Sequence, residues 1–132
     1  MSERLNHHIA LLEQVAGRLT RARSDAADLI SEEILQQLER VIDQLKEHSD
    51  AGYELGIAWL SQLFTHHPQL APAVDRDLLW FFGGECLHYL SDEEITLFQQ
   101  LDELEEDANA NGQSFDRALT RRTLSAQGGY NA

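Results

Sequence analysis

Cysteine and long apolar segments are what this chain has least of. Its 132 residues include one cysteine, Cys86, which excludes an internal disulfide framework and suits a reducing compartment. The longest mainly apolar run, residues 78–90, is interrupted by polar residues and is too short to span a bilayer. The opening MSERLNHHIALLEQ has charges and histidines where an export signal needs an apolar stretch. We therefore expect a cytoplasmic protein that does not bind a membrane.

Motifs for nucleotide and acyl chemistry are also missing. The sequence contains no G-x-x-x-x-G-K-[ST] loop, no G-x-G-x-x-G turn and no G-x-S-x-G nucleophile elbow. The adjacent Gly83 and Gly84 lie in a carboxylate-rich setting that would repel phosphate. The sequence therefore predicts no cofactor.

Positive charge is absent from residues 77–116, a stretch that contains eleven carboxylates. The formal net charge of the chain is −13, with −5 in residues 1–76 and +3 in residues 117–132. A field of this sign repels nucleic-acid phosphates and anionic membranes, and it steers basic proteins towards the acidic half. We expect no nucleic-acid binding, and we expect a protein partner or self-association.

Apolar residues recur at steps of three and four along most of the chain, which is the period of amphipathic helices. We predict an all-α fold, a single-domain bundle of five to six helices over residues 1–125 with a flexible tail at 126–132. The helical segments predicted for this bundle cover residues 3–22, 28–47, 52–66, 92–108 and 115–124, with two short ones at 76–82 and 85–90 and a single helical turn within 68–74.

Three residues are predicted to shape the core. Gly56, in a helix that is apolar on more than one face, would let a neighbouring helix approach closely. His8 is on the apolar stripe of the first helix and is expected to be a hydrogen-bonded residue at the edge of the core. Cys86 is expected to be a buried, unreactive thiol.

The predicted helix over residues 92–108, called the acidic helix, has the clearest start signal in the chain. Ser91 and Glu94 are the two ends of a capping box. A further helix, capped by Ser114, carries three arginines, and we expect its basic face to fold back against the acidic helix. The apolar stripe predicted for the acidic helix is Ile95, Phe98, Leu101, Leu104 and Ala108.

Glu85 and His88 have the Glu-x-x-His spacing that aims a carboxylate and an imidazole at one metal ion in di-iron helical bundles. Those sites need a second such pair and two more carboxylates, and no other helix offers an acid on its predicted apolar stripe. The alternative is a half-buried pair held by local hydrogen bonds.

The block DLLWFFGGECLHYLSDEEI, with GQSFDRA after it and LNHHIALLEQV at the start, resembles a small family of uncharacterised gammaproteobacterial proteins. The resemblance spans nearly the whole chain. Some members carry a dehydrogenase label, which the lack of a dinucleotide fingerprint argues against here. The resemblance implies no catalytic residue.

Two functional hypotheses follow. The first is a non-enzymatic interaction or regulatory module with Trp80, Phe81, Tyr89, Glu103 and Glu106 on or beside its contact face. A homodimer through the third helix or through the aromatic segment, Trp80–Tyr89, is a corollary. The alternative is a small enzyme or a metal- or ligand-binding protein that uses Glu85 and His88.

Overall fold

The structure, a computed structural model, describes residues 3–25 and 30–128, and every regular element among them is helical. The all-α prediction is confirmed. Short 3₁₀ helices cover Pro68–Ala73 and Gly84–Tyr89. The α-helices are α1 (Glu3–Asp25), α2 (Glu32–Lys46), α3 (Ala51–His66), α4 (Arg76–Phe82), α5 (Asp92–Ala110) and α6 (Arg117–Gly128).

The start predicted for the second helix is wrong. α2 begins at Glu32 because Ser31 caps it, with the hydroxyl oxygen accepting from the Ile34 backbone N–H at 3.2 Å. Residues 28–29, where the prediction placed the first turn, lie outside the described residues. No helix in the described part of the chain is both long and apolar enough to cross a membrane.

Two compact units make up the chain, Met1–Cys86 and Leu87–Ala132. The first contains α1 to α4, and the second contains α5 and α6. A single domain over residues 1–125 therefore stays a prediction. Of the predicted tail, residues 126–128 are helical as the end of α6, and residues 129–132 lie outside the described residues.

In the first unit, α2 packs against α1 and α3, and α4 packs against α1 and α3. The Trp59 indole N–H donates to the Ile34 carbonyl at 3.0 Å, which ties α3 to α2. The helices bury the apolar stripes that the sequence predicts. Fully buried members are Leu12, Val15, Leu19, Leu38, Leu45, Leu60, Leu78 and Leu79.

A close approach between α3 and α4 depends on a glycine. A Cβ atom added at Gly56 would overlap the Phe82 ring, so the aromatic side chain occupies the space that any other residue would fill. α4 then ends at Gly83, whose φ of 65° lies in the left-handed region that glycine tolerates. Gly56 therefore has the role that the sequence suggests for it.

In the second unit, α5 and α6 run antiparallel. The Arg121 guanidinium lies 5.1 Å from the centroid of the Phe98 ring, and Arg117, one turn earlier in α6, reaches Glu105. The cap predicted for this last helix is wrong. Asp116, not Ser114, accepts from a backbone N–H of the first turn, that of Leu119, at 3.0 Å.

The buried stripe of α5 also differs from the prediction. Leu104 is 41% exposed, and Leu97 and Glu105 are buried instead. The stripe therefore runs along residues 97, 98, 101 and 105, which recur at helical spacing and end in a carboxylate. A carboxylate can replace leucine there because Arg117 lies opposite it.

Candidate functional site

The aromatic segment begins with a capped helix. Asp75 accepts from the Asp77 backbone N–H at 2.9 Å and starts α4, which carries Trp80 and Phe81. Trp80 is half-buried, and so is Tyr89 at the end of the following 3₁₀ helix. These two predicted interaction residues keep part of their surface accessible.

Phe81 is buried, with 7% of its surface exposed. Its ring stacks on the His8 imidazole at 4.3 Å between centroids and lies 5.1 Å from the Phe82 ring and 5.4 Å from Tyr53. The Arg4 guanidinium carbon is 5.3 Å from its centroid. Phe81 was predicted as an interaction residue, but these contacts leave it almost no surface for a partner.

Glu85 and His88 both lie in the 3₁₀ helix Gly84–Tyr89 and are exposed. The alternative of a half-buried pair is therefore wrong for both side chains. Across residues 3–25 and 30–128 there is no group of three or more His, Cys, Asp or Glu side chains placed to hold a metal. A metal site at this pair stays an untested hypothesis that lacks a third ligand among the described residues.

Cys86, which lies between them in the sequence, is fully buried. Burial, and to a smaller extent the neighbouring Glu85 carboxylate, raises the pKa of its thiol to about 11. The thiol stays protonated at neutral pH, and a protonated thiol is a poor nucleophile. The structure therefore gives Cys86 the packing role that the sequence predicts.

The outer face of α5 is the most strongly charged surface in the second unit. The Ser91–Glu94 capping box is present, with contacts of 2.9 and 3.2 Å. Glu103 and Glu106 are both exposed, and their spacing of three residues places them on the same side of the helix. The remaining exposed carboxylates of α5 are Asp92, Glu93 and Asp107.

Two of the three arginines of α6 contact α5, as the sequence predicts for a basic face folded against the acidic helix. The Arg117 side chain is 2% exposed, and one of its nitrogens lies 2.8 Å from Asp102 and 3.3 Å from Glu105. Arg121 lies over Phe98. Only Arg122 of the three arginines is exposed, so the second unit shows a negative surface along α5.

Two buried charged contacts are absent from the sequence-based predictions. One is Arg117 with Glu105, and the other is Asp77, 1% exposed, whose carboxylate lies 3.1 Å from His8 Nε2. The signal for the first is the spacing of Glu105 from Leu97, Phe98 and Leu101, which places it on the buried stripe. Asp77 gives no comparable signal, because an acid in the first turn of a helix usually faces solvent.

A shallow groove lies between α2 and α3. Two adjoining cavities of about 130 and about 170 Å³ share Gln37, Trp59 and Gln62 in their lining. The polar groups at its floor are engaged in the fold, since the Trp59 N–H donates to Ile34 and the Ser31 hydroxyl caps α2. The groove supplies surface and no assembled set of reacting groups.

A family model described as PA2817-like matches residues 1–131. The chain belongs to the PA2817-like family. Searches among curated proteins and among solved structures give no match. Membership is consistent with the predicted resemblance to an uncharacterised family.

The chemistry available to this PA2817-like chain therefore follows from the arrangement of its own side chains. Its one thiol is buried and protonated, and its Glu-x-x-His pair is exposed. A feature that faces solvent with a consistent chemistry is the carboxylate row of α5. Such a row can attract and orient a cationic surface.

Proposed function

We propose that this PA2817-like chain is a non-enzymatic protein-binding module whose contact face is the outer face of α5. The residues assigned to that face are Glu103, Glu106 and Asp107, with Asp92 and Glu93 at the other end of the helix. Between residues 92 and 107 the face extends over roughly 22 Å, the length of fifteen helical steps. Its partner is a protein with a basic surface, and the cytoplasm is its expected location.

The observation that carries the proposal is the position of these carboxylates. Asp107 is in the last turn of α5 and Glu106 is next to it, at the end of a helix where the macrodipole disfavours negative charge. The last turn contains no basic residue. Glu103 adds like-charge neighbours at spacings of three and four residues. These charges cost folding stability, so the fold gives no reason for them.

The described residues also leave this face without internal neutralisation. Asp102 and Glu105 face Arg117, and Glu94 belongs to the capping box. No ion pair within residues 3–25 and 30–128 involves Glu103, Glu106 or Asp107. Their negative charge is therefore available to an external partner.

The test compares two triple variants with the same change in net charge. Glu103→Gln/Glu106→Gln/Asp107→Asn neutralises the α5 face, and Glu32→Gln/Glu33→Gln/Glu39→Gln neutralises three exposed carboxylates of α2. Proteins that co-purify with each chain are quantified by mass spectrometry at low and at physiological salt, and each candidate is then rebound as a purified protein.

The wild type and the α2 variant should recover a common basic partner that the α5 variant loses. The α5 variant should also be slightly more stable than the wild type, by about 0.3–1 kcal/mol, because unfavourable charges have been removed. Recovery of no partner at either salt concentration, or equal recovery by both variants, would refute the proposal. If the chain self-associates, the partner recovered in this experiment is a second copy of the chain.

A further inference from the structure

A buried imidazole and a buried carboxylate meet between α1 and α4. His8 of α1 is 0% exposed and Asp77 of α4 is 1% exposed. His8 Nε2 lies 3.1 Å from Asp77 Oδ1, and His8 Nδ1 lies 2.7 Å from the Arg4 backbone carbonyl. The Phe81 ring stacks on the imidazole and shields it from water on one face.

The two contacts of the ring define where its hydrogens must be. A carbonyl oxygen only accepts, so Nδ1 of His8 carries a hydrogen and donates it to Arg4. In a neutral ring, Nε2 would then be a bare acceptor facing an oxygen of Asp77. Two acceptors at 3.1 Å in a buried site repel each other, and neither is near water.

One proton removes this repulsion. On Nε2 it makes an imidazolium–carboxylate pair, and on Oδ1 it makes a neutral carboxylic acid beside the imidazole. The Nε2–Oδ1 contact has the length of an ion pair without the direction of a hydrogen bond, so a proton on Nε2 would act there through electrostatic attraction. Either placement adds the same single proton to the folded chain.

We propose that His8 and Asp77 share one proton in the folded protein. This proton stabilises the contact between α1 and α4 and makes that contact pH-sensitive. The proposal concerns the first unit and is independent of the function assigned to α5. When the proton is lost, the repulsion between Nε2 and Oδ1 should loosen α1 and uncover Phe81.

Other charged or titratable groups face the pair from three helices. On α1, His7 Nε2 is 3.9 Å from Asp77 Oδ2 and Arg4 lies over Phe81. Before α4, the Asp75 carboxylate accepts from the Asp77 backbone N–H. On α3, the Tyr53 ring contacts Phe81. Arg4 favours a negative Asp77, and Asp75 favours a retained proton, so the two act in opposite directions.

The direction of the pH effect follows from proton counting. In the unfolded chain His8 loses its proton near the ordinary histidine value of about 6.5, and the aspartate is ionised. Above that pH the folded chain holds one proton more than the unfolded chain. The stabilisation is therefore complete just below that value, where the unfolded histidine also carries its proton, and is lost as the pH rises above it.

The first measurement uses the wild-type chain and records the nitrogen resonances of its imidazoles at pH 7.5. His66, exposed at the end of α3, is the internal control. His8 Nε2 should be protonated or strongly hydrogen-bonded, and its resonance should differ from that of the exposed His66. A bare Nε2 on His8 in the folded protein would overturn the proposal.

The second measurement compares unfolding between pH 6 and 9 for the wild type, His8→Gln and His66→Gln. Relative to His8→Gln, the folding equilibrium constant of the wild type should fall by up to about tenfold per pH unit above the ordinary histidine value. His66→Gln should parallel the wild type. Equal pH slopes in the wild type and in His8→Gln would contradict the proposal, and if His8→Gln does not fold, the nitrogen spectra of the wild type decide.

Discussion

Each of the two units buries a charged contact, and the two contacts differ in the kind of cation that they use. In the first unit Asp77 faces the imidazole of His8, a type of side chain whose charge depends on pH. In the second unit Arg117 faces Asp102 and Glu105, and a guanidinium stays charged at any physiological pH. If the proposed shared proton is present, the α1–α4 contact should depend on pH and the α5–α6 contact should not.

The units also differ in how much of their charge is used internally. The first unit uses a close approach at Gly56 and an aromatic cluster around Phe81. In the second unit two arginines, Arg117 and Arg121, contact α5. The outer carboxylates of α5 stay exposed. Packing thus concentrates negative charge on one face of the second unit.

Removal of the Arg117 guanidinium should have the largest effect on stability. Arg117→Ala leaves the buried Glu105 without its cation, and breaking a buried pair in this way costs about 3–5 kcal/mol. Urea unfolding followed by circular dichroism measures the loss, which should be the same at pH 6 and at pH 9. Because no imidazole is involved, a strong pH dependence would break the contrast between the two units.

Arg122→Ala is the matched control, since Arg122 is an exposed arginine of the same helix and its removal changes the net charge equally. Its effect should stay within about 0.5 kcal/mol. If both variants lost similar stability, the effect of Arg117 would reflect the net charge of the unit and not its buried contact.

A methyl group at Gly56 should have the next largest effect. Gly56→Ala places a Cβ atom within the Phe82 ring, and overpacking of this kind costs about 1–3 kcal/mol. Gly17→Ala has nothing within 4 Å of the added carbon and lies on the exposed side of α1. It should instead stabilise the chain by about 0.5–1 kcal/mol, the ordinary gain for alanine over glycine in a helix.

Thermal or urea unfolding of the two glycine variants checks the opposite signs. Equal stabilisation by both would mean that α3 and α4 do not approach as closely as the structure shows. The first unit would then lack the tight packing that distinguishes it from the charge-mediated contact of α5 and α6.

The smallest effect at neutral pH is expected for Cys86. Because burial raises the pKa of its thiol to about 11, the folded chain retains a proton that an unfolded cysteine releases near pH 8.5. This contribution to stability is complete below the unfolded value and falls as the pH rises towards 11. Comparison of the wild type with Cys86→Ala between pH 8 and 11 isolates it.

Alkylation gives a second measure of the same property. At pH 8 the native thiol should react much more slowly than the thiol of the urea-unfolded chain, since the thiolate is the reactive form. Equal rates would show that Cys86 is accessible in the folded protein.

Local features of the sequence predicted much of the fold. The helical period, the Ser91 capping box and the need for a small residue at Gly56 each depend on neighbours within a few positions or on backbone geometry. The structure confirms all three. The inward-facing basic side of α6 was also predictable, because it follows directly after the acidic helix.

The errors concern contacts between residues that are distant in the sequence. Leu104 was predicted on the buried stripe and Glu105 was not, because an apolar residue is normally preferred in a core. Arg117, twelve residues after Glu105, reverses that preference. Asp77, in α4, contacts His8, in α1, although the two are far apart in the sequence. Phe81 is covered by residues of α1 and α3. Periodicity cannot identify such partners.

The candidate contact face was predicted only in part. Glu103 and Glu106 are exposed as expected, since they lie opposite the buried stripe of α5. Phe81 is buried because its ring fills the space between His8 and Phe82. The aromatic content of the segment therefore does not predict which rings are exposed. The helix face on which each ring lies decides that.

The affinity of the chain for a purified basic partner, measured by calorimetry at several salt concentrations, tests the acidic face of α5 most directly. The wild type and the Glu32→Gln/Glu33→Gln/Glu39→Gln control should bind alike, with a Kd that rises steeply with salt. Glu103→Gln/Glu106→Gln/Asp107→Asn should raise the Kd at least about tenfold, or 1.4 kcal/mol, and flatten the salt dependence. An unchanged Kd and salt slope in the α5 variant would contradict the assignment of this face.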